Sequence, residues 1–105
     1  MNLRYWVLLL SFETTIMFAQ EMKPKEFKLA LIQMYVEPGK RDQNLAHADS
    51  MVAEAVKQGA QVVLLPEVMD ISWTNASAKD LAGTIPGGAT CTMLCDIERK
   101  HHVYL

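Results

Sequence analysis

The chain has 105 residues, which is enough for one small domain. Half of its residues are apolar and 21% are charged, a composition typical of a folded globular chain and not of a disordered one. The formal net charge is −2 with both signs interspersed, which excludes the basic surface that nucleic acids or anionic membranes require.

The amino terminus is similar to a secretory signal. Arg4 supplies one cation, residues 6–12 are apolar, and Ala19 offers a small residue before a cleavage site. The apolar stretch is too short and too interrupted for a membrane span. We therefore predict a signal peptide over residues 1–19, with export to the periplasm or the medium; without a true leader the protein would be cytoplasmic. Residues 20–27 are polar and are predicted to form a linker.

The pattern after the linker predicts a strand followed by a helix. An apolar segment at 28–34 ends in the turn signal Pro38-Gly39. Apolar residues then recur at three- and four-residue spacing and define one helix face: Leu45, Ala48, Met51, Val52, Ala55 and Val56. Asp42 is the predicted N-cap, and Gly59 stands where a left-handed residue ends a helix.

A continuous branched run at 61–65 predicts a second strand, so the first part of the chain is a βαβ unit. Strands that are apolar on both faces indicate a parallel sheet, and the fold class is α/β. A short helix capped by Ser77, a helix over residues 90–102 and the start of a third strand at 103–105 follow. The residues expected to face inward from the longer helix are Met93, Leu94 and Ile97.

Glu67 comes directly after the second strand and Pro66, which ends the strand because it has no amide hydrogen. In open α/β sheets, ligands bind outside the carboxyl ends of the strands. A carboxylate at that edge is expected to be partly desolvated and to serve as a proton acceptor. The alternative is that Glu67 only accepts hydrogen bonds from loop amides.

Three segments together resemble the nitrilase superfamily, the carbon–nitrogen hydrolases. They are "KLALIQM", "NLAHADSMVAEAVKQGAQVVLLPE" and "AGTIPGGATCTMLCDIERKHHVYL". The loop "PEVMDISWTNASA" is similar to that of one branch of these enzymes, and the resemblance covers residues 27–105. It implies the amino-terminal part of a four-layer α-β-β-α sandwich, and residues 28–105 are interpreted as a truncated domain of that kind.

The resemblance also implies a Glu-Lys-Cys catalytic set that hydrolyses a small amide, carbamoyl compound or nitrile without a cofactor or a metal. The glutamate that closes the family motif corresponds to Glu67, as general base. The family's lysine and cysteine follow further strands and have no counterpart in this chain, so the 105 residues alone are expected to be inactive. Family members usually assemble as homo-oligomers, which is the expectation for a full-length protein.

The loop after Glu67 offers candidate substrate contacts. Met69, Asp70 and Trp73 are predicted to line the mouth of the site, with Trp73 as an apolar wall; loop packing is the alternative for all three. Asn75 and Ser77 fit the N-glycosylation pattern, which matters only in a eukaryotic secretory setting.

The remaining cysteines and histidines are assigned structural roles. Cys91 and Cys95 are interpreted as core thiols, because their spacing forms neither a zinc motif nor a disulfide framework and nothing places them near Glu67. His101 and His102 are expected at the last turn of a helix, where a cation complements the helix dipole, and they point in different directions.

Two other functions stay open at this point. A non-catalytic remnant or interaction module would keep the βαβ core without the chemistry. An unrelated flavodoxin-like domain is disfavoured, because the turn after the first strand, residues 35–44, has no glycine-rich phosphate cradle.

Overall fold

The computed structural model describes residues 24–105 with the exceptions of 75 and 77. The predicted signal peptide at 1–19, the first half of the predicted linker and both polar residues of the glycosylation pattern lie outside the described residues. Residues 24–28 have no regular secondary structure and are exposed. No helix within the described ranges is long and apolar enough to cross a membrane.

The sheet is parallel, as the sequence predicts. Strand β1 (Leu29–Leu31) pairs with strand β2 (Val62–Leu64), and Leu29, Ala30 and Leu31 lie opposite Val62, Val63 and Leu64. The chain returns to the sheet at Tyr104, which forms a parallel bridge with Val62 on the other side of β2. The Val63 amide donates to the Tyr104 carbonyl at 2.8 Å, and the Tyr104 amide donates to the Gln61 carbonyl at 3.0 Å. The third strand therefore begins where the sequence predicts it, with β2 in the middle.

Helix α1 (Arg41–Lys57) connects the two strands. Its N-cap is Lys40, without a side-chain cap, so the prediction of Asp42 as N-cap is wrong. Asp42 lies in the first turn instead, where a negative charge favours the helix amino terminus. At the other end Gln58 is the C-cap, and Gly59 follows with φ of +89°, the left-handed conformation predicted for it.

Two further helices follow β2. Helix α2 (Ala78–Leu81) is a single turn, and helix α3 (Ala89–His101) begins after Gly88 and ends at the left-handed His102. The inward face predicted for α3 is correct for Ile97, which is 2% exposed, and for the half-buried Leu94. It is wrong for Met93, which is 37% exposed.

The core lies between the sheet and helices α1 and α3. One cluster of buried residues joins the sheet to both helices: Ile32, Val52, Ala60, Val63, Ile97 and Val103. A smaller cluster of Leu45, Ala48 and Met69 attaches the loop after β2 to α1. The predicted apolar face of α1 is therefore buried or half-buried, and it covers one side of the sheet together with α3.

The opposite face of the sheet is exposed and apolar. Successive side chains of a strand point to opposite faces, so Leu29 and Leu31 lie on the side away from Ala30. Leu31 is 67% exposed, and its register partner Leu64 is 59% exposed. Tyr104, on the same face, is also exposed. Within the described residues this face of the sheet is therefore uncovered.

Candidate active site

A cavity of about 620 Å³ lies at the carboxyl ends of the strands. Its wall is formed by residues 63–66, 68–71 and 82–85, together with Leu105 and one side of α3. This is the edge at which open α/β sheets bind their ligands. A cavity of this size suits a small molecule.

Glu67 lies at this edge of the sheet, between two residues of the cavity wall. Strand β2 ends at Leu64, and every residue from 66 to 71 belongs to the cavity wall except Glu67, which lies between Pro66 and Val68. The glutamate side chain is exposed. The expected position at the carboxyl edge is therefore found, whereas the expected partial burial is not. The role of Glu67 as a base stays a prediction.

Two of the three predicted substrate contacts reach the cavity. Met69 and Asp70 both line it, although Met69 is only 5% exposed and also packs against Leu45 and Ala48. Trp73 is not in the wall and is 68% exposed. The geometry keeps Met69 and Asp70 as candidates and does not bring Trp73 to the site.

The Asp70 carboxylate holds the loop to both long helices. Its Oδ2 accepts a hydrogen bond of 2.7 Å from the Thr90 hydroxyl at the start of α3. The same oxygen lies 3.5 Å from Nε of Arg41, a charge contact without hydrogen-bond geometry, since Nε has no hydrogen-bond partner. Arg41 also donates through Nη2 to the Leu81 carbonyl of α2. Asp70 thus has structural partners already, which favours the loop-packing alternative for its carboxylate.

Asn44 is a buried polar residue that forms a hydrogen bond to this loop, and the sequence did not predict its role. Its side-chain amide nitrogen donates to the carbonyls of Glu37 at 2.8 Å and Asp70 at 2.7 Å. Its side-chain oxygen accepts from the Glu37 amide at 2.9 Å. The signal available in the sequence was an asparagine next to Leu45 on an otherwise apolar helix face.

Cys91 and Cys95 are free thiols in the wall of the cavity. Both are half-buried, and they line the cavity instead of packing in the core as predicted. They lie on the side of α3 that faces the cavity, whereas the core face of α3 carries Ile97. Neither residue belongs to the family motif, and a catalytic role is not assigned to them.

A second polar cluster joins the two long helices away from the cavity. Asp49 of α1 has Lys100 Nζ and His101 Nε2 each at 2.6 Å from one of its carboxylate oxygens. Hydrogen bonds from Lys100 and His101 hold the pKa of Asp49 below its ordinary value. His101 thus meets a carboxylate, in addition to its expected place at the last turn.

The described part of the chain contains no group of three or more histidine, cysteine, aspartate or glutamate residues arranged to hold a metal ion.

Residues 28–105 match the sequence profile of the carbon-nitrogen hydrolase family. The chain belongs to the carbon-nitrogen hydrolase family. This result confirms the family that the sequence resembles, and the matched segment is its amino-terminal part. The boundary at residue 28 coincides with the start of the predicted folded part.

Individual relatives agree with the family. The chain is 38% identical over 81 residues to a nitrilase of Pyrococcus abyssi, an alignment that covers 74% of this chain and 31% of the relative. It is 42% identical over 79 residues to an omega-amidase of Mus musculus, covering 75% of this chain and 28% of the relative. An omega-amidase of Homo sapiens is 35% identical over 79 residues, with the same two shares. The chain spans less than a third of the length of these relatives.

Proposed function

We propose that this carbon-nitrogen hydrolase chain contributes the general base of an enzyme that cleaves a non-peptide C–N bond in a small amide, carbamoyl compound or nitrile. Glu67 removes the proton of a cysteine thiol and later activates the water that hydrolyses the thioester. A lysine stabilises the charge that develops on the substrate. The observation that carries the proposal is the place of Glu67, at the carboxyl end of β2 beside the cavity.

The rigid position of β2 supports this role. β2 lies between β1 and the Tyr104 bridge, and Val63 at its centre is 1% exposed. The sheet holds the strand on both sides up to Leu64, and Glu67 follows three residues beyond it. The exposure of its side chain leaves the carboxylate accessible to a thiol supplied from outside the described residues.

The lysine and the cysteine of the catalytic set are expected outside these 105 residues. Cys91 and Cys95 are the only cysteines of the sequence, and both belong to α3 and not to the position that the resemblance gives to the nucleophile. We therefore expect the 105-residue chain to be inactive alone. Export, through the predicted leader, and assembly into homo-oligomers are parts of the same proposal.

The four-layer sandwich is the architecture we propose for the complete domain. The two long helices cover one face of the sheet, and the other face presents Leu29, Leu31 and Leu64 to solvent. An apolar sheet face that size is normally covered in a folded protein. A second sheet packed against it would give the α-β-β-α order.

The experiment that tests the function uses the native gene product, whose intact mass first establishes whether it ends at Leu105. The purified protein is assayed on a small amide, a carbamoyl compound and a nitrile. Glu67→Gln should abolish turnover while circular dichroism and the melting temperature stay unchanged. Glu37→Gln, a change of an exposed glutamate in the loop after β1, is the matched control and should keep wild-type turnover.

Substantial residual turnover of Glu67→Gln would overturn the assigned role. A native protein that binds no substrate of the three classes, and in which Glu67→Gln changes nothing, would favour the alternative of a non-catalytic interaction module.

A further inference from the structure

The side chain of Asn44 is buried, with 2% of its surface exposed, and all its strong bonding groups are used. Two donor bonds go to the carbonyls of Glu37 and Asp70, and the oxygen accepts from the Glu37 amide. An asparagine amide has two donor hydrogens, so both are committed to backbone carbonyls. Asn44 therefore joins the loop after β1 to the loop after β2, both at the carboxyl edge of the sheet.

The loop that Asn44 holds has an unfavourable backbone next to Glu67. Val68 has φ of +51° and Ser72 has φ of +68°. A β-branched residue such as valine adopts a left-handed conformation only where its surroundings impose it. The strained residue follows Glu67 directly, so whatever holds Val68 in this conformation also directs the glutamate.

Three hydrogen bonds to backbone groups hold the middle of this loop, in addition to the contacts of the Asp70 carboxylate and the buried Met69. The Asp70 carbonyl accepts from Asn44, and the next carbonyl, that of Ile71, accepts from the Gly39 amide at 3.0 Å. Within the loop the Ser72 amide donates to the Val68 carbonyl at 3.0 Å. Of these three bonds, only the one from Asn44 involves a side chain. It is therefore the one of the three that a substitution can remove.

We propose that Asn44 is a positioning residue that sets the place of Glu67 by fixing the strained loop 67–72 to helix α1; the inference rests on the proposed role of Glu67 as base. Without the bond to Asp70, Val68 relaxes to an ordinary extended or helical conformation and the backbone that carries Glu67 turns. The carboxylate then no longer lies where it can take the thiol proton. Asn44 does not itself touch the reacting atoms.

The burial of an amide supports this role over simple packing. A buried polar side chain stabilises a fold only when all its hydrogen bonds are made, and an apolar residue of similar size fills the same space without that requirement. The three hydrogen bonds of Asn44 instead fix the loop after β1 and the loop after β2 at a defined distance from each other.

The test compares three variants of the full-length protein. Asn44→Ala removes all three bonds, and Asn44→Asp keeps the shape and the acceptor but loses both donors. Val52→Ala is the matched control: Val52 is fully buried on the same helix, in the cluster with Ile32 and Val63 and away from the loop. Each variant is assayed well below its melting temperature, so that the folded fraction is the same.

Both Asn44 variants should lower kcat roughly tenfold to a hundredfold with KM nearly unchanged, since small misplacements of a catalytic group have effects of that order. Val52→Ala should lower the melting temperature and keep kcat. If the Asn44 variants lose stability but keep wild-type kcat, the proposal is overturned. If Glu67→Gln itself keeps turnover, the proposed function fails, and the positioning role fails with it. The result for Glu67→Gln therefore distinguishes a failure of the proposed function from a failure of the positioning role alone.

A second measurement applies if neither Asn44 variant folds. In the unsubstituted full-length protein, hydrogen exchange is followed for the peptide that spans residues 66–74 and for α1. The proposal expects both segments to open with the same free energy. A loop that exchanges freely while α1 stays protected would overturn it.

Discussion

The imidazole Nε2 of His101 lies 2.6 Å from Oδ1 of Asp49, which joins the end of helix α3 to the middle of helix α1. Lys100 occupies the other carboxylate oxygen at the same distance. The Asp49 side chain is 23% exposed and that of His101 is 14% exposed, so the contact is partly shielded from water. The two helices that cover the sheet are thus held together by a polar contact as well as by the core.

Replacement of Asp49 by asparagine should destabilise the protein. The variant keeps the shape but loses the charge, so the hydrogen bonds to Lys100 and His101 are weakened. We expect the free energy of unfolding to fall by about 1–3 kcal/mol, the range for bonds to a charged group. Urea unfolding measures the change. Asp96→Asn is the control, because Asp96 pairs with Arg99 on the exposed surface of α3 and should change stability by less than about 0.5 kcal/mol.

The Asp49 contribution should also depend on pH, with a defined sign. Its pKa in the folded protein lies below the ordinary value of 3.8. Above the ordinary value the carboxylate is charged in the folded and the unfolded chain, and the contribution is complete. As the pH falls through the lowered folded pKa, the carboxylate is protonated and the contribution is lost.

The difference in unfolding free energy between wild type and Asp49→Asn should therefore be smaller at about pH 2.5 than at about pH 5. A difference that grows on acidification would contradict the assignment.

Local patterns in the sequence were sufficient for the order and pairing of the elements. The branched run at 61–65 predicted β2, and the apolar spacing from Leu45 to Val56 predicted α1. The predicted N-cap of α1 was wrong, since the helix is capped by Lys40 and not by Asp42. The Gly39 amide donates to the Ile71 carbonyl, and this tertiary contact sets the turn from which α1 begins at Arg41. Such a contact has no local signature.

The candidate site was predictable only in part, for the same reason. Glu67 could be placed because it follows a strand directly. The contact of Asn44 with Asp70 crosses 26 residues of chain, and the link from Asp70 to Thr90 crosses 20. Neither follows from spacing on one element. The open cavity that exposes Cys91 and Cys95 likewise depends on how α3 meets the loop after β2.

Gly88 should not tolerate a side chain. A Cβ at this position would lie 2.8 Å from the Thr84 backbone nitrogen and closer still to the Thr84 carbonyl oxygen, and backbone atoms cannot move aside cheaply. Gly88→Ala should lower the free energy of unfolding by about 1–3 kcal/mol, the usual range for overpacking. Gly83→Ala is the control in the same segment, since its Cβ would meet nothing nearer than 3.9 Å. Thermal unfolding of both variants measures the effect, and equal melting temperatures would contradict it.

The thiols of Cys91 and Cys95 should react in the folded protein, because they line the open cavity. Iodoacetamide is expected to modify both without denaturant, faster than global unfolding would allow and more slowly than a free cysteine. Intact mass against time gives the rates, and urea-unfolded protein gives the upper limit. Complete protection of either thiol until the protein unfolds would show that it is packed in a core and that this wall of the cavity is closed.

The exposed face of the sheet gives a test of the proposed sandwich. Leu31 is 67% exposed in the 105-residue chain, so Leu31→Ser should change its unfolding free energy by less than about 0.5 kcal/mol. If a second sheet covers this face in the full-length protein, the same substitution there should cost about 2–5 kcal/mol, as for a buried leucine. Tyr35→Ser is the control, since Tyr35 is 76% exposed and lies beyond the end of β1. Urea unfolding of both lengths supplies the comparison, and a Leu31→Ser cost that is small in both would mean that no second sheet packs on this face.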